Sequence, residues 1–361
     1  MSGTEGAWGS YLFGFMVWMS ITLGCLALML LQNVTRGSWG VALIRFWDSG
    51  ASNLILMAAL IVPILVVGYK ELYPWADPSI VAENKIVAHK AGAYFKDAWF
   101  AIRAAIYFFI WIFGWYWLSK RSRDEDATGD PNLANARQSF AAPWIVLFII
   151  SANFAITDWA MSLEKEWFST ILGLLFVVGV SLSAMALGTF FLVCARDTEP
   201  FKGKLFKNQW KDLGNLLFAM TVLWAYMSFS QWLITYSGNL PEEIPYYLKR
   251  SEGGWQFIGG TLIFLHFMLP FFLLLSSRLK RTPSMLGAVA LFIVFIRLVD
   301  IVWTVVPSLG RQSLSLTLAD AAAVVGIGGL WLMVLAWRLR TTNLYPKYAE
   351  LPKPAEATSH A

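Results

Sequence analysis

The chain has 361 residues, 57% of them hydrophobic, with a mean hydropathy of +0.56 and only 14% charged. Soluble domains of this length carry roughly 25% charged residues, so the bilayer is the natural solvent here and a soluble globular protein is excluded. The net charge of +5 is small and reads as membrane-related rather than as a nucleic-acid footprint.

Nine apolar stretches reach bilayer-crossing length, at about 11–32, 52–69, 99–118, 140–158, 168–193, 214–236, 255–276, 286–306 and 318–337. The first has no Lys or Arg before it and no small-residue cleavage site after it, so it reads as a permanent span rather than a signal peptide. Spans three and four are separated by a charged turn beginning Lys120-Arg-Ser-Arg-Asp-Glu-Asp, and spans five and six by a lysine-rich loop. The tail after Arg340 lacks periodicity and is expected to be extended or disordered. With the N-terminus outside, the inner segments hold 18 Lys and Arg and the outer ones 8, which favours N-outside and C-inside. Trp8, Trp39, Trp75, Trp167 and Trp255 fall near span ends and read mainly as interfacial belts.

Cys25 and Cys194 lie in separate apolar stretches, a pattern that supports neither a disulfide framework nor a zinc or iron–sulfur site. The haem attachment signature Cys-x-x-Cys-His is absent. His89, in a loop, and His360, in the tail, cannot flank a haem with His266.

Span six carries the most specific pattern. Trp224, Ser228, Gln231 and Thr235 fall at i, i+4, i+7 and i+11, one polar stripe down a helix that is otherwise apolar. Lipid tails cannot satisfy such groups, so the stripe must face protein, water or a polar ligand. Ionisable residues within or beside the spans concentrate toward the outer end under the orientation above. They are Arg103 and Asp158, then Arg297 and Asp300 spaced i, i+3, then Asp320 and the loop acids Glu164, Glu242 and Glu243, with His266 deeper. Most have a plain reading: an ion pair for Arg297 and Asp300, a helix-end acid for Asp158 and Asp320, a hydrogen-bonded core histidine, solvated acids for Glu242 and Glu243. The collection reads as a layer, and Asp158, Arg103, Arg297, Asp300, His266, Gln231 and Ser228 are the candidate proton path.

Several of these residues also carry a likeness. Thr157-Asp-Trp-Ala-Met-Ser-Leu-Glu, Trp167-Phe-Ser-Thr, Trp224-Ala-Tyr-Met-Ser-Phe-Ser-Gln and Asn239-Leu-Pro-Glu-Glu with Gly253-Gly-Trp form one group. Ala101-Ile-Arg-Ala-Ala-Ile-Tyr, Asp212-Leu-Gly-Asn, His266-Phe-Met-Leu-Pro-Phe and Arg297-Leu-Val-Asp form another. Together they resemble the F subunit of alternative complex III, a bacterial quinol:cytochrome c oxidoreductase, over most of the chain from Tyr11 to Trp337.

The resemblance implies an all-α, NrfD-type (polysulfide-reductase-like) integral membrane protein. Its parts would be a short outer segment (1–10), four-helix bundles over 11–158 and 168–306, a last helix at 318–337 and a cytoplasmic tail (338–361). It implies a subunit with no redox centre of its own in the bacterial inner membrane. Its partners would be a paralogous C subunit, an iron–sulfur subunit and a multihaem cytochrome c subunit, which hold the haem c and iron–sulfur clusters, with quinone in the complex. The family usually has ten spans, and the tenth would precede Tyr11. Phe168 stands after Trp167 where a quinol-pocket histidine is expected in the C subunit. A purely structural scaffold and a stand-alone secondary transporter are the rival expectations.

Overall fold

The computed structural model describes residues 6–311 and 313–347. The expected extended tail beyond Lys347, with His360, lies outside them, as do the first five residues of the outer segment. Among the described residues there are helices and no strands, and nine of the helices are long and apolar enough to cross a membrane. They run Ala7–Thr35, Ile44–Leu72, Asp97–Thr128, Asn132–Leu163, Leu172–Ala195, Lys207–Gly238, Trp255–Leu275, Pro283–Leu309 and Leu318–Thr341. The chain is an all-α multi-pass membrane protein.

Their outward faces are apolar. Phe109, Val66, Phe264 and Leu332 are more than half exposed, as suits side chains solvated by lipid. Spans one and five form the centre. Span one is buried on nearly all sides, and packs on spans five, nine, two and four. Small residues permit this: a Cβ built on Gly24 would stand 1.9 Å from the Val180 carbonyl oxygen, so only glycine lets the two backbones approach so closely. Spans one, four and five thus pack together at the centre, spans six and eight pack on span five, and span nine is laid against span one.

The helices outrun the apolar stretches. Span two begins at Ile44 rather than near 52, and span three continues to Thr128. Hydropathy marks only the part of a helix that meets hydrocarbon, whereas the backbone stays helical wherever neighbours pack against it. Two spans contain π-helical turns, Ile64–Gly68 in span two and Leu262–Met268 in span seven. Each adjoins a proline, Pro63 or Pro270, whose missing N–H removes a rung of the ladder.

The loop between spans two and three folds into two short helices, Pro78–Glu83 and Lys85–Ala93, capped by Asp77 and Asn84. Aromatic rings of Tyr73, Trp75, Phe95 and Phe100 stack beneath them. Three of the tryptophans expected in an interfacial belt are buried instead: Trp75, Trp167 and Trp255 are 5%, 3% and 0% exposed. Loops that pack on the helix ends give an indole more apolar surface than the bilayer interface does.

The Gly24 contact sets a test. Gly24→Ala is expected to lower stability by about 1–3 kcal/mol or more through overpacking. Gly326→Ala, where nothing lies within 4 Å of the added carbon, is expected to be neutral. Thermal unfolding of the purified protein in detergent distinguishes the two.

Candidate functional site

The polar stripe of span six faces inward. Trp224, Gln231 and Thr235 are buried and Ser228 is half-buried, while Tyr226, Phe229, Trp232 and Tyr236 on the other side are exposed. Gln231 takes a short hydrogen bond from the Ser169 hydroxyl, and its amide lies 3.4 Å from Thr235 Oγ1. Ser228 lies on the same face, but its hydroxyl joins no hydrogen bond among the described residues.

Arg103 of span three and Asp158 of span four meet. The guanidinium grips the carboxylate with two bonds, Nε to Oδ2 at 2.8 Å and Nη2 to Oδ1 at 3.1 Å. Tyr107 donates to Oδ2 at 2.9 Å, and Arg103 Nη1 donates to the Tyr94 carbonyl at 2.9 Å. The guanidinium also lies 3.8 Å from the Tyr94 ring centre. Burial, then the Asp158 charge, pushes the Tyr94 phenol up to about 12. Asp158 is 0% exposed. A carboxylate so enclosed, with both oxygens bonded to donors, is held in place on every side.

Arg297 and Asp300 also form an ion pair, one turn apart on span eight. Room for the guanidinium comes from Gly179 of span five, where a Cβ would stand 2.3 Å from Nη2. Arg297 Nε lies 3.2 Å from the Ser183 hydroxyl. Beside this pair the π-helical turn of span seven presents His266, 1% exposed, with its ring centre 3.8 Å from that of Trp224. Both His266 ring nitrogens are buried without a hydrogen-bond partner. The Trp224 indole N–H is turned toward Asp300 but is likewise without a partner at hydrogen-bond distance. A cavity of about 30 Å³ touches Asp300, lined also by Arg297, Met16, Ile156, Phe176 and Thr304. That is room for a water molecule beside a carboxylate. Arg297, Asp300, His266 and Trp224 therefore form one loosely satisfied polar centre, in contrast to the fully bonded Asp158.

Other expected groups lie at the same end of the bundle as Ala7. Asp320 caps its own helix through Thr317, binds Arg311 at 2.6 and 2.8 Å, and accepts from Ser10 at 2.7 Å. Its structural reading holds. Glu164, expected as a loop acid, is 5% exposed and binds Lys249 at 2.6 Å and Ser308 at 2.8 Å. Beneath it Arg250, Tyr246 and Trp167 stack, with Arg250 3.5 Å from the Tyr246 ring and Trp167 3.8 Å from it. No side-chain hydrogen bond among the described residues joins Asp158 to Asp300. The aromatic cluster of Phe15, Tyr107, Phe108, Trp111 and Trp159 packs beside the first pair. The candidate path is thus two separate pairs rather than one connected chain of groups.

A second polar layer at the opposite end corrects the picture of a single one. Arg45 pairs with Asp126 and Arg137 with Glu125; Trp115 donates to Asp48 at 2.8 Å. Arg45 and Asp48 are each 1% exposed. The i, i+3 spacing of Arg45 and Asp48 is visible in the sequence, but they precede the apolar run of span two and so read as loop.

Because Asp158 is wholly enclosed, Asp158→Ala should leave Arg103 uncompensated and cost about 3–5 kcal/mol. The double substitution Arg103→Met with Asp158→Leu should recover most of that loss. Chemical unfolding in micelles measures both.

No protein-family model matches the chain, and no curated protein matches it.

Proposed function

We propose that this chain is a membrane subunit of a quinol-oxidising respiratory complex, with the N-terminus outside and the C-terminus inside a bacterial inner membrane. The family likeness to the F subunit of alternative complex III suggests the class. The centre of Arg297, Asp300, His266 and Trp224 carries the mechanistic part. Quinol oxidation releases two protons with its two electrons, and each proton needs an acceptor. Asp300 is held by one guanidinium, has a cavity against it, and lies by an imidazole with two unbonded nitrogens. Such a carboxylate has room to exchange a proton, and a neutral imidazole with two unbonded nitrogens can accept a hydrogen bond at one and donate at the other.

In this reading a proton passes between Asp300 and water in the cavity. Arg297 keeps the carboxylate in position and His266 offers the adjoining step. Asp158 does not take part. Its bidentate partner and its tyrosine donor make it a clamp between spans three and four. Gln231, with Ser169 and Thr235, ties span six to the loop before span five, and Ser228 stands beside it. Redox centres, haem c and iron–sulfur clusters, belong to partner subunits in this proposal.

A specific observation favours a scaffold reading for part of the chain. The Asp158, Asp320 and Glu164 clusters each join residues of different elements through several bonds. These are tertiary clamps, and a scaffold needs nothing more.

The two readings separate by substitution. Asp300→Asn is expected to lower quinol:cytochrome c turnover or proton release at least tenfold in a complex that still assembles. Asp158→Asn should lower the yield of complex and leave turnover per complex near normal. Turnover unchanged in assembled Asp300→Asn leaves the scaffold alone standing. Affinity purification of the tagged chain tests the class itself: the expected companions are a multihaem cytochrome and an iron–sulfur protein, and a chain that purifies alone contradicts it.

A further inference from the structure

The turn between spans seven and eight reads Ser276-Ser-Arg-Leu-Lys-Arg-Thr, three cations and no acid. It folds as a short helix, Ser277–Arg281, capped by the Ser276 hydroxyl and packed against the start of span six. Lys280 is the pivot. It is 8% exposed, and its stem lies in a notch at Gly214, where a Cβ would come within 2.5–2.9 Å of its Cβ, Cγ and Cδ. Its ammonium donates to the Asn215 amide oxygen at 2.7 Å. A neutral amide positions the charge without neutralising it. Burial first, then the nearby Lys211, pushes the Lys280 ammonium below the usual lysine range.

The backbone adds to the same field. Span six starts at Lys207 and span eight at Pro283, and neither has an acid in its first turn. Span eight begins directly after the turn, so its uncompensated positive end adjoins these cations. Asp212 is the neighbouring acid, and it acts on Lys211. None of Lys207, Lys211, Arg278, Lys280 and Arg281 makes an ion pair among the described residues. Next to these cations the surface is hydrocarbon: Phe272, Leu275 and Met285 are about half exposed or more, and the Phe218 ring lies 5.6 Å from Lys280 Nζ.

We propose that this turn binds the phosphate of an anionic phospholipid, its acyl chains lying along Phe272 and Leu275. Lys280 and Lys211 meet the headgroup from within and Arg278 and Arg281 from the rim. Cations beside an exposed apolar face suit a ligand that is anionic at one end and apolar at the other. A free anion would use only the first. The inference stands independently of the proposed function.

Native mass spectrometry of the full chain, purified with whatever subunits it carries and stripped of lipid, tests it. The probes are phosphatidylglycerol, phosphatidylcholine with the same acyl chains, and inorganic phosphate. Each cation near a membrane surface contributes about fivefold to anionic-lipid binding, so Arg278→Gln with Arg281→Gln should weaken phosphatidylglycerol binding about thirtyfold. Phosphatidylcholine binding should not change. Both arginines are exposed, so this double variant keeps the fold even where Lys280→Gln does not. Unchanged phosphatidylglycerol binding in the double variant overturns the proposal. So does inorganic phosphate displacing phosphatidylglycerol at equal concentration, which would mark a site for a free anion.

Discussion

Hydrocarbon offers no hydrogen bonds, and this constraint arranges the rest of the molecule. A charged or polar side chain on a span has to find its partner inside the protein, on another helix or one turn away. The result is a set of inward-facing ion pairs and hydrogen bonds, most of them joining particular helices in a particular register and one, Arg297 with Asp300, lying within a single helix. Arg103 fixes span three to Asp158 of span four; Arg311 and Ser10 fix the start of span one to Asp320 at the start of span nine. Dispersion between apolar helices provides contact, and these pairs select which contact forms. Small residues are the counterpart. Gly24 lets spans one and five meet, and Gly179 leaves the space that the Arg297 guanidinium fills.

The buried charges fall into two kinds. Asp158 has three side-chain hydrogen bonds and no exposure, so a proton reaching it would break strong interactions for nothing in return. Asp300 is held from one side, and the cavity, the unbonded indole and the unbonded imidazole leave the rest of its surroundings free to respond. Both are acid–arginine pairs in a membrane span. The two pairs differ in their number of partners, and a π-helical turn places His266 beside the less-bonded one.

Much of this was legible beforehand, and the gaps have physical causes. Among the described residues the nine apolar runs are nine long helices, because hydrophobic length of about twenty residues has few other outcomes in a membrane. The Trp224 stripe faced inward as its period required. The pairing of Arg103 with Asp158, 55 residues apart, was suggested by depth alone. What hydropathy could not reach was the ends of the helices. Arg45 and Asp48 lie in a helical extension that no apolar run announces, and Glu164 is buried by loops whose packing depends on tertiary context. Trp75, Trp167 and Trp255 misled for the same reason. A composition rule for interfaces assumes lipid headgroups as neighbours, and here the neighbours are other parts of the chain.

The central claim is that Asp300 changes protonation while Asp158 stays fixed. Infrared difference spectroscopy on the purified assembly, recorded on addition of quinol, reads carboxyl groups directly. The account predicts a carboxyl C=O band that vanishes in Asp300→Asn and survives in Asp158→Asn. A spectrum in which Asp300→Asn matches the unsubstituted protein would contradict it.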